Sequence, residues 1–177
     1  AAIALACPGD TIRLDTGAFA GGVELTDLTV VGAGEGQSIV TGGTPVTQDW
    51  VIISRPSTGN MNTIQDLTIS GGGVAGCSGL CPSGGGVYAQ GDGLTRMVNV
   101  EVRDNTGSGG IFLTGNSANL EGRNSFIHQN TRLGGRGFAG GGGISIECCG
   151  TVLIKDSEIS FNTAPNGDGG GILAPEA

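Results

Sequence analysis

Apolar and polar residues alternate along much of this chain in short runs. Residues 98–102 read Val-Asn-Val-Glu-Val, and a single serine separates Ile144 from Ile146. A period of two is the pattern of a β-strand that buries one face. The pattern therefore predicts that the three valines point inward and that the residues between them, together with Arg103, face outward.

The first half of the chain contains shorter runs of the same kind, most of them separated by Gly or Pro, which predict further short strands. They cover residues 11–14, 23–25, 28–31, 38–40, 51–53 and 64–69. Only residues 1–6 suggest something else, because their alanine-rich sequence is compatible with the end of a short helix. We therefore expect strands throughout, with a short helical cap at the N-terminus.

A longer motif recurs in the second half: an apolar residue, two further residues, Asn-Thr, a variable loop, and then Gly-Gly-Ile or Gly-Gly-Gly-Ile. Its asparagines are 25 and 32 residues apart, and the last glycines of the motif are 24, 33 and 28 residues apart. A repeat of this length with variable loops is typical of a β-solenoid, in which each coil holds two or three strands. The asparagines are Asn105, Asn130 and Asn162, and the glycines are Gly86, Gly110, Gly143 and Gly171.

The repeated residue types have physical reasons to occur in such a coil. Asparagine tolerates the left-handed backbone of a sharp corner, and like side chains in successive coils can hydrogen-bond as a ladder. Glycine permits a positive φ and the close approach of the next coil. The predicted fold is all-β: a single-stranded right-handed parallel β-helix of about six coils. It forms one domain over residues 1–177, which we expect to be part of, or processed from, a longer chain.

Composition narrows the possible partners. Glycine accounts for 37 of 177 residues and aromatic residues for only 4%, so small β-branched side chains must fill the core. The net charge is −8, and the eight basic residues are scattered singly, which argues against a nucleic-acid interface. No apolar run is long enough to span a membrane.

The five cysteines favour disulfides, and hence an oxidising compartment, over a zinc site. Cys148 and Cys149 are adjacent, an arrangement that chelates one zinc ion poorly. Cys77 either bridges Cys81 locally, or these two pair with Cys148 and Cys149. Cys7 is then left to pair with a cysteine upstream or in another chain.

Residues 7–14 and 28–34, with the Asn-Thr and Gly-Gly-Gly-Ile repeats, resemble bacterial secreted right-handed parallel β-helix repeat proteins. The repeats are also similar to the Gly-Gly-Ala-Ile repeats of polymorphic outer-membrane autotransporter passengers. The resemblance covers nearly the whole chain and implies the fold and export from the cell. It leaves the activity open, because that group includes polysaccharide lyases and hydrolases as well as adhesins.

A lyase-like site on this fold would need clustered acidic residues, often with bound calcium, and an Arg or Lys base. Glu101 and Arg103, like Glu121 and Arg123, alternate outward and could supply such a site, but we favour a solvated face with ion pairs between coils. Residues 166–170 are only faintly similar to a calcium-binding repeat, so we expect no cofactor, with calcium as the one possibility. The remaining charged candidates are Asp92, Asp104 and Arg136, and the only histidine is His128.

No catalytic constellation stands out, and we expect a non-enzymatic protein. The hypothesis is an extracellular or cell-surface structural or adhesive β-helix that assembles end to end into filaments. Its partners would be further copies of itself or components of the cell surface or matrix. The alternative is a polysaccharide-active lyase or hydrolase, or a carbohydrate-binding module.

Overall fold

The structure is a computed structural model that describes residues 5–42, 50–73, 84–115, 117–133, 140–147, 150–165 and 169–174. These residues form sixteen β-strands and no helix. The all-β prediction is therefore confirmed for the described part of the chain. The N-terminal helical cap was predicted for residues 1–6, of which residues 1–4 lie outside the described ranges, and Leu5 and Ala6 belong to no α-helix.

The strands are short, except for two that run for ten residues. In chain order they are β1 (Thr11–Arg13), β2 (Gly17–Ala20), β3 (Val23–Leu25), β4 (Thr29–Val31), β5 (Ser38–Thr41), β6 (Trp50–Ser54), β7 (Met61–Ser70), β8 (Gly85–Gln90), β9 (Leu94–Arg103), β10 (Ile111–Thr114), β11 (Asn119–Arg123), β12 (Phe126–His128), β13 (Ile144–Ile146), β14 (Thr151–Lys155), β15 (Glu158–Ser160) and β16 (Ile172–Leu173). All six runs predicted in the first half of the chain fall on strands.

The strands form two sheets in which every pairing between strands is parallel. The first sheet has ten strands in the order β1-β4-β7-β9-β11-β14, with β2-β5-β7 and β9-β12-β15 paired alongside. The second sheet has six strands in the order β3-β6-β8-β10-β13-β16. The chain therefore crosses the first sheet and then the second, six times in succession. We call these crossings passes 1 to 6: β1–β3, β4–β6, β7–β8, β9–β10, β11–β13 and β14–β16.

The two ten-residue strands bend in the middle, where Asp66 and Asn99 have φ angles of 55° and 52°. The left-handed residue reverses the alternation, so Met97 before the bend and Val100 after it both point inward and are buried. Val98, which the uninterrupted pattern predicts to point inward, is half-exposed instead. A single left-handed residue thus changes which face the following side chains occupy.

The core consists of three apolar rows, each built from residues that pair in register across successive passes. Apolar row 1 is Ile12, Val30, Ile64, Met97, Gly122 and Ile154. Apolar row 2 is Phe19, Val40, Ile69, Val102, Ile127 and Ile159. Apolar row 3 is Val23, Ile52, Val87, Ile111, Ile144 and Ile172. Their aliphatic members in passes 3 and 4 are almost fully buried, and burying one such side chain stabilises the fold by about 1.5–3 kcal/mol.

Candidate functional site

The three asparagines of the repeat form a hydrogen-bonded ladder at the corner that follows apolar row 2. The Nδ2 group of Asn105 donates to Oδ1 of Asn130 at 2.9 Å, and Nδ2 of Asn130 donates to Oδ1 of Asn162 at 2.9 Å. Each acceptor oxygen also receives the backbone N–H of the preceding asparagine, at 3.1 and 3.0 Å. The Nδ2 groups further donate to carbonyls of apolar row 2 in the pass before. We call these residues the Asn ladder.

The left-handed backbone lies one residue earlier than the sequence pattern suggested. Asp104, Gln129 and Phe161 have φ angles of 55°, 55° and 52°, whereas the ladder asparagines have no positive φ. The residue before the asparagine turns the corner, and this leaves the asparagine side chain inside the stack, where it reaches the neighbouring passes. The turning residues share no residue type, so the sequence carries no recurring signal for them.

The repeat glycines are required for close approach and not for a positive φ. A Cβ atom at Gly86, Gly110 or Gly143 would lie 2.9 Å from the side-chain nitrogen of the ladder asparagine in the next pass. None of these glycines has a positive φ. Gly171, at the same position in pass 6, would meet nothing within 4 Å. The glycines therefore make room for the Asn ladder.

The side of pass 6 that faces away from pass 5 carries the same kinds of groups as the other passes. The backbone N–H of Asn162 has no acceptor among the described residues, and its Nδ2 group has only the Ile127 carbonyl, at 2.7 Å. In passes 4 and 5 the equivalent donors bind the oxygen of the next asparagine. Ile172 is 48% exposed although its row partner Ile144 is fully buried. The face of pass 6 therefore presents the donors and apolar groups that elsewhere contact a following pass.

A polar patch covers the outer side of the first sheet, centred on Glu101. This carboxylate accepts hydrogen bonds from Thr68 at 2.8 Å and from Arg103 at 3.0 Å, and it lies 3.1 Å from Nε2 of His128. Burial raises the pKa of Glu101, but the hydrogen bonds from Thr68, His128 and Arg103 outweigh burial and hold the pKa below the ordinary glutamate value. Asp104 pairs with Arg103 on the same patch.

Glu121 organises a second group of charges on the same sheet. Arg123 and Arg96 both donate to it, at 2.7 and 2.8 Å from their Nε atoms. The Arg123 hydrogen bond and then the Arg96 hydrogen bond lower the pKa of Glu121. Arg96 and Glu121 belong to adjacent passes, so this ion pair joins neighbouring passes. Asp92 is exposed and belongs to no ion pair among the described residues, and Arg136 lies outside them.

Most of the residues predicted to form disulfides or a calcium site lie outside the described ranges. Cys77, Cys81, Cys148 and Cys149, like residues 166–168, lie outside the described ranges. Cys7 is exposed and forms no disulfide with a described residue. Within the described ranges, no three His, Cys, Asp or Glu side chains are grouped closely enough to hold a metal ion.

Comparison with protein-family models gave no match, and neither did comparison with curated proteins. In the part of the chain that is described, no helix is long and apolar enough to cross a membrane. The fold and the Asn ladder define the class of this protein as an all-β repeat protein with parallel sheets.

Proposed function

We propose that the six passes are coils of a closed right-handed parallel β-helix and that the chain is an extracellular or cell-surface structural or adhesive module that stacks end to end. The sequence resemblance to secreted β-helix repeat proteins supports the handedness and the location. The regular return of the chain to the same two sheets supports closure. End-to-end stacking would build an extended structure. The polar patch on the outer side of the first sheet would contact components of the cell surface or matrix.

The observation that carries the proposal is the continuation of all three apolar rows to both outer passes. Pass 6 presents Ile154, Ile159 and Ile172, which are half-buried or exposed. Pass 1 presents Ile12, Phe19 and Val23, which are half-buried in the same three rows. Pass 1 of one copy can therefore cover pass 6 of another by extending the parallel pairing that already joins the passes.

The backbone adds to this complementarity. A strand at the edge of a sheet has N–H and C=O groups available for a further strand, and stacked repeats gain stability from each added neighbour. β1 and β14 occupy the two ends of the strand order in the first sheet, and β3 and β16 occupy those in the second. A head-to-tail contact would therefore pair β14 with β1 and β16 with β3 of the next copy.

Light scattering over a range of protein concentrations tests end-to-end stacking with a matched pair of variants. Ile172→Lys places a charge in apolar row 3 of pass 6. Leu153→Lys places the same charge in pass 6 at a similarly exposed residue, 43% against 48%, whose side chain lies on the outer face. We expect the parent and Leu153→Lys to form multiples of the monomer mass and Ile172→Lys to remain monomeric. A parent that stays monomeric at high concentration, or equal losses in both variants, would contradict the proposal.

A second candidate function, hydrolysis or lysis of a polysaccharide, is favoured by one observation. Burial, followed by the charges of Glu101 and Asp66, raises the pKa of Glu35, whereas the pKa of Glu101 is lowered. Two carboxyls whose pKa values move apart can serve as acid and base. Thr68 accepts from the backbone N–H of Gly36, the residue that follows Glu35, and donates to Glu101, both at 2.8 Å.

The enzymatic candidate is tested by screening acidic and neutral polysaccharides for cleavage by the parent, Glu35→Gln and Glu101→Gln. Cleavage that both substitutions abolish would establish this alternative. Cleavage that neither substitution changes, or no cleavage of any polysaccharide, would count against these two carboxyls as an acid and base.

A further inference from the structure

Arg132 is a buried cation on the outer side of the second sheet. It follows the Asn ladder corner of pass 5, and its backbone N–H donates to the Thr163 carbonyl at 2.9 Å. Its side chain is turned back over the sheet and is only 6% exposed. One nitrogen, Nη1, donates to Oγ of Ser145 at 3.0 Å, and this hydroxyl in turn donates to the Gly141 carbonyl. The guanidinium is thus held in one place.

The guanidinium lies at the end of an aromatic stack on the same side of the sheet. Trp50, Tyr88 and Phe112 come from three successive passes, with ring centroids 5.1 Å apart for the first pair and 5.9 Å apart for the second. The Cζ atom of Arg132 is 5.7 Å from the centroid of the Phe112 ring. Such a cation–π contact stabilises the charge of the guanidinium but provides no hydrogen-bond acceptor for its N–H groups.

The hydrogen-bonding capacity of Arg132 is largely unused. A guanidinium has five N–H groups, and Ser145 Oγ is the one side-chain acceptor among the described residues. The Nε atom is buried and has no hydrogen-bond partner among the residues that the structure describes. Burial lowers the pKa of Arg132, and Glu147 offsets this only in part.

Four other arginines behave differently. Arg55, Arg96, Arg103 and Arg123 are more exposed than Arg132, and each of them pairs with a glutamate at hydrogen-bonding distance. Arg132, the most buried of the five, has no carboxylate within 4 Å in the described ranges. A buried charge without a counter-charge is destabilising, and a bound ion is one of the explanations for a buried polar group that has no hydrogen-bond partner.

We infer that Arg132 anchors an anion-binding site on the outer side of the second sheet, beside the aromatic stack. The site takes a small oxyanion, because a planar guanidinium binds carboxylate, sulfate or phosphate groups through two parallel N–H bonds. The oxyanion is either a free inorganic ion or the carboxylate of an acidic sugar. The inference is independent of end-to-end stacking, because Arg132 belongs to neither outer pass.

The single tryptophan gives this site a local reporter, because the chain contains no other Trp and Trp50 belongs to the stack that Arg132 caps. The experiment is a fluorescence titration of the whole chain with sodium sulfate, sodium acetate and sodium glucuronate, each against sodium chloride at equal ionic strength. We expect a saturable change with at least one oxyanion and none with chloride. A response to sulfate alone would indicate an inorganic ion, and a stronger response to glucuronate would indicate an acidic sugar.

Two variants and a control decide whether Arg132 is responsible. Arg132→Gln removes the charge and is expected to weaken binding at least tenfold, as is Arg132→Lys, which keeps the charge without the planar fork. Arg55→Gln, which removes an exposed and paired arginine, is expected to bind like the parent. Circular dichroism verifies folding, and Arg132→Lys serves if Arg132→Gln does not fold. No saturable response in the parent, or equal binding by Arg132→Lys and the parent, which would mean an adventitious ion only, would overturn the inference.

Discussion

Passes 1–3 and passes 4–6 bury the same three apolar rows but build their corners differently. Three residues after apolar row 2, passes 4–6 have the Asn ladder, whereas passes 1 and 3 have Gly22 and Gly72. The two solutions meet where Gly72 N–H donates to Oδ1 of Asn105 at 2.9 Å. The inward apolar rows are therefore the feature that all passes share. A corner is stable either when its glycine backbone lies close to the next pass or when an asparagine side chain supplies the hydrogen bonds.

The outward-facing residues of the first sheet also differ between the two halves. The outward residues beside apolar row 2 are Ala18, Ile39 and Thr68 in passes 1–3, but Glu101 and Glu158 in passes 4 and 6. The polar patch and the ladder thus occupy the same part of the molecule. The first half joins its passes through other polar contacts, in which Ser38 Oγ donates to the Asp15 carbonyl and Asn62 Nδ2 donates to the Leu25 carbonyl.

The largest effect is expected from removal of the central ladder residue. Asn130→Ala deletes four side-chain hydrogen bonds and leaves buried groups of both neighbouring passes without partners. We expect the free energy of unfolding, measured by chemical denaturation, to fall by about 3 kcal/mol. The matched control, Asn162→Ala, removes a half-buried residue with fewer neighbours and should cost about half as much. Equal losses would mean that Asn130 gains no extra stability from having a ladder asparagine on both sides.

Extending the ladder into the first half tests whether the two corner types are interchangeable. Gly72→Asn matches the repeat motif, but its Cβ atom would clash with the Gly85 carbonyl oxygen and lie 2.8 Å from the Val51 side chain. We expect a loss of about 2 kcal/mol in unfolding free energy. Gly72→Ala has the same clash without the amide and is the control. A Gly72→Asn variant as stable as the parent would show that the corners are equivalent.

The repeat glycines offer a comparison within the second half. A Cβ atom at Gly143 would lie 2.8 Å from the Gly171 carbonyl oxygen and 2.9 Å from Nδ2 of Asn162, whereas one at Gly171 would meet nothing. We expect Gly143→Ala to lower the melting temperature in a calorimetric scan, at a cost of about 1.5 kcal/mol, and Gly171→Ala to cost less than about 0.5 kcal/mol. The reverse order would contradict the packing that we describe around the Asn ladder.

The smallest effect concerns the polar patch and acid pH. The pKa of Glu101 is lower in the folded chain than in the unfolded chain. Its charge therefore stabilises the fold at pH values above the ordinary glutamate pKa, and this contribution is lost as the pH falls through the folded pKa. We expect Glu101→Gln to lower stability at pH 7 by about 0.5–1 kcal/mol. Between pH 7 and pH 3, the variant should lose less stability than the parent. Parallel pH profiles would contradict the contribution of Glu101.

The sequence was most informative where one residue type recurs at one structural position. The alternating runs fell on strands, and the Asn-Thr and glycine repeats fell on a corner where each pass contacts the next. It was least informative where a position is defined by backbone conformation alone. Asn99 stands in an alternating run outside the Asn-Thr motif, and nothing in that run marks the left-handed backbone that accompanies the displacement of Val98 from the core. Arg132 was not predicted either, because its surroundings include Phe112, which belongs to another pass, and Ser145, which lies 13 residues further along the chain.

Negative-stain electron microscopy of the purified, unreduced chain tests the central claim, a stacked β-helix that extends end to end, most directly. Six coils spaced by about 4.8 Å give a unit about 30 Å long. The account predicts rods of constant width whose lengths are multiples of that unit and which Ile172→Lys reduces to single units. Particles that remain single and compact at the highest concentration, in the parent as in the variant, would contradict it.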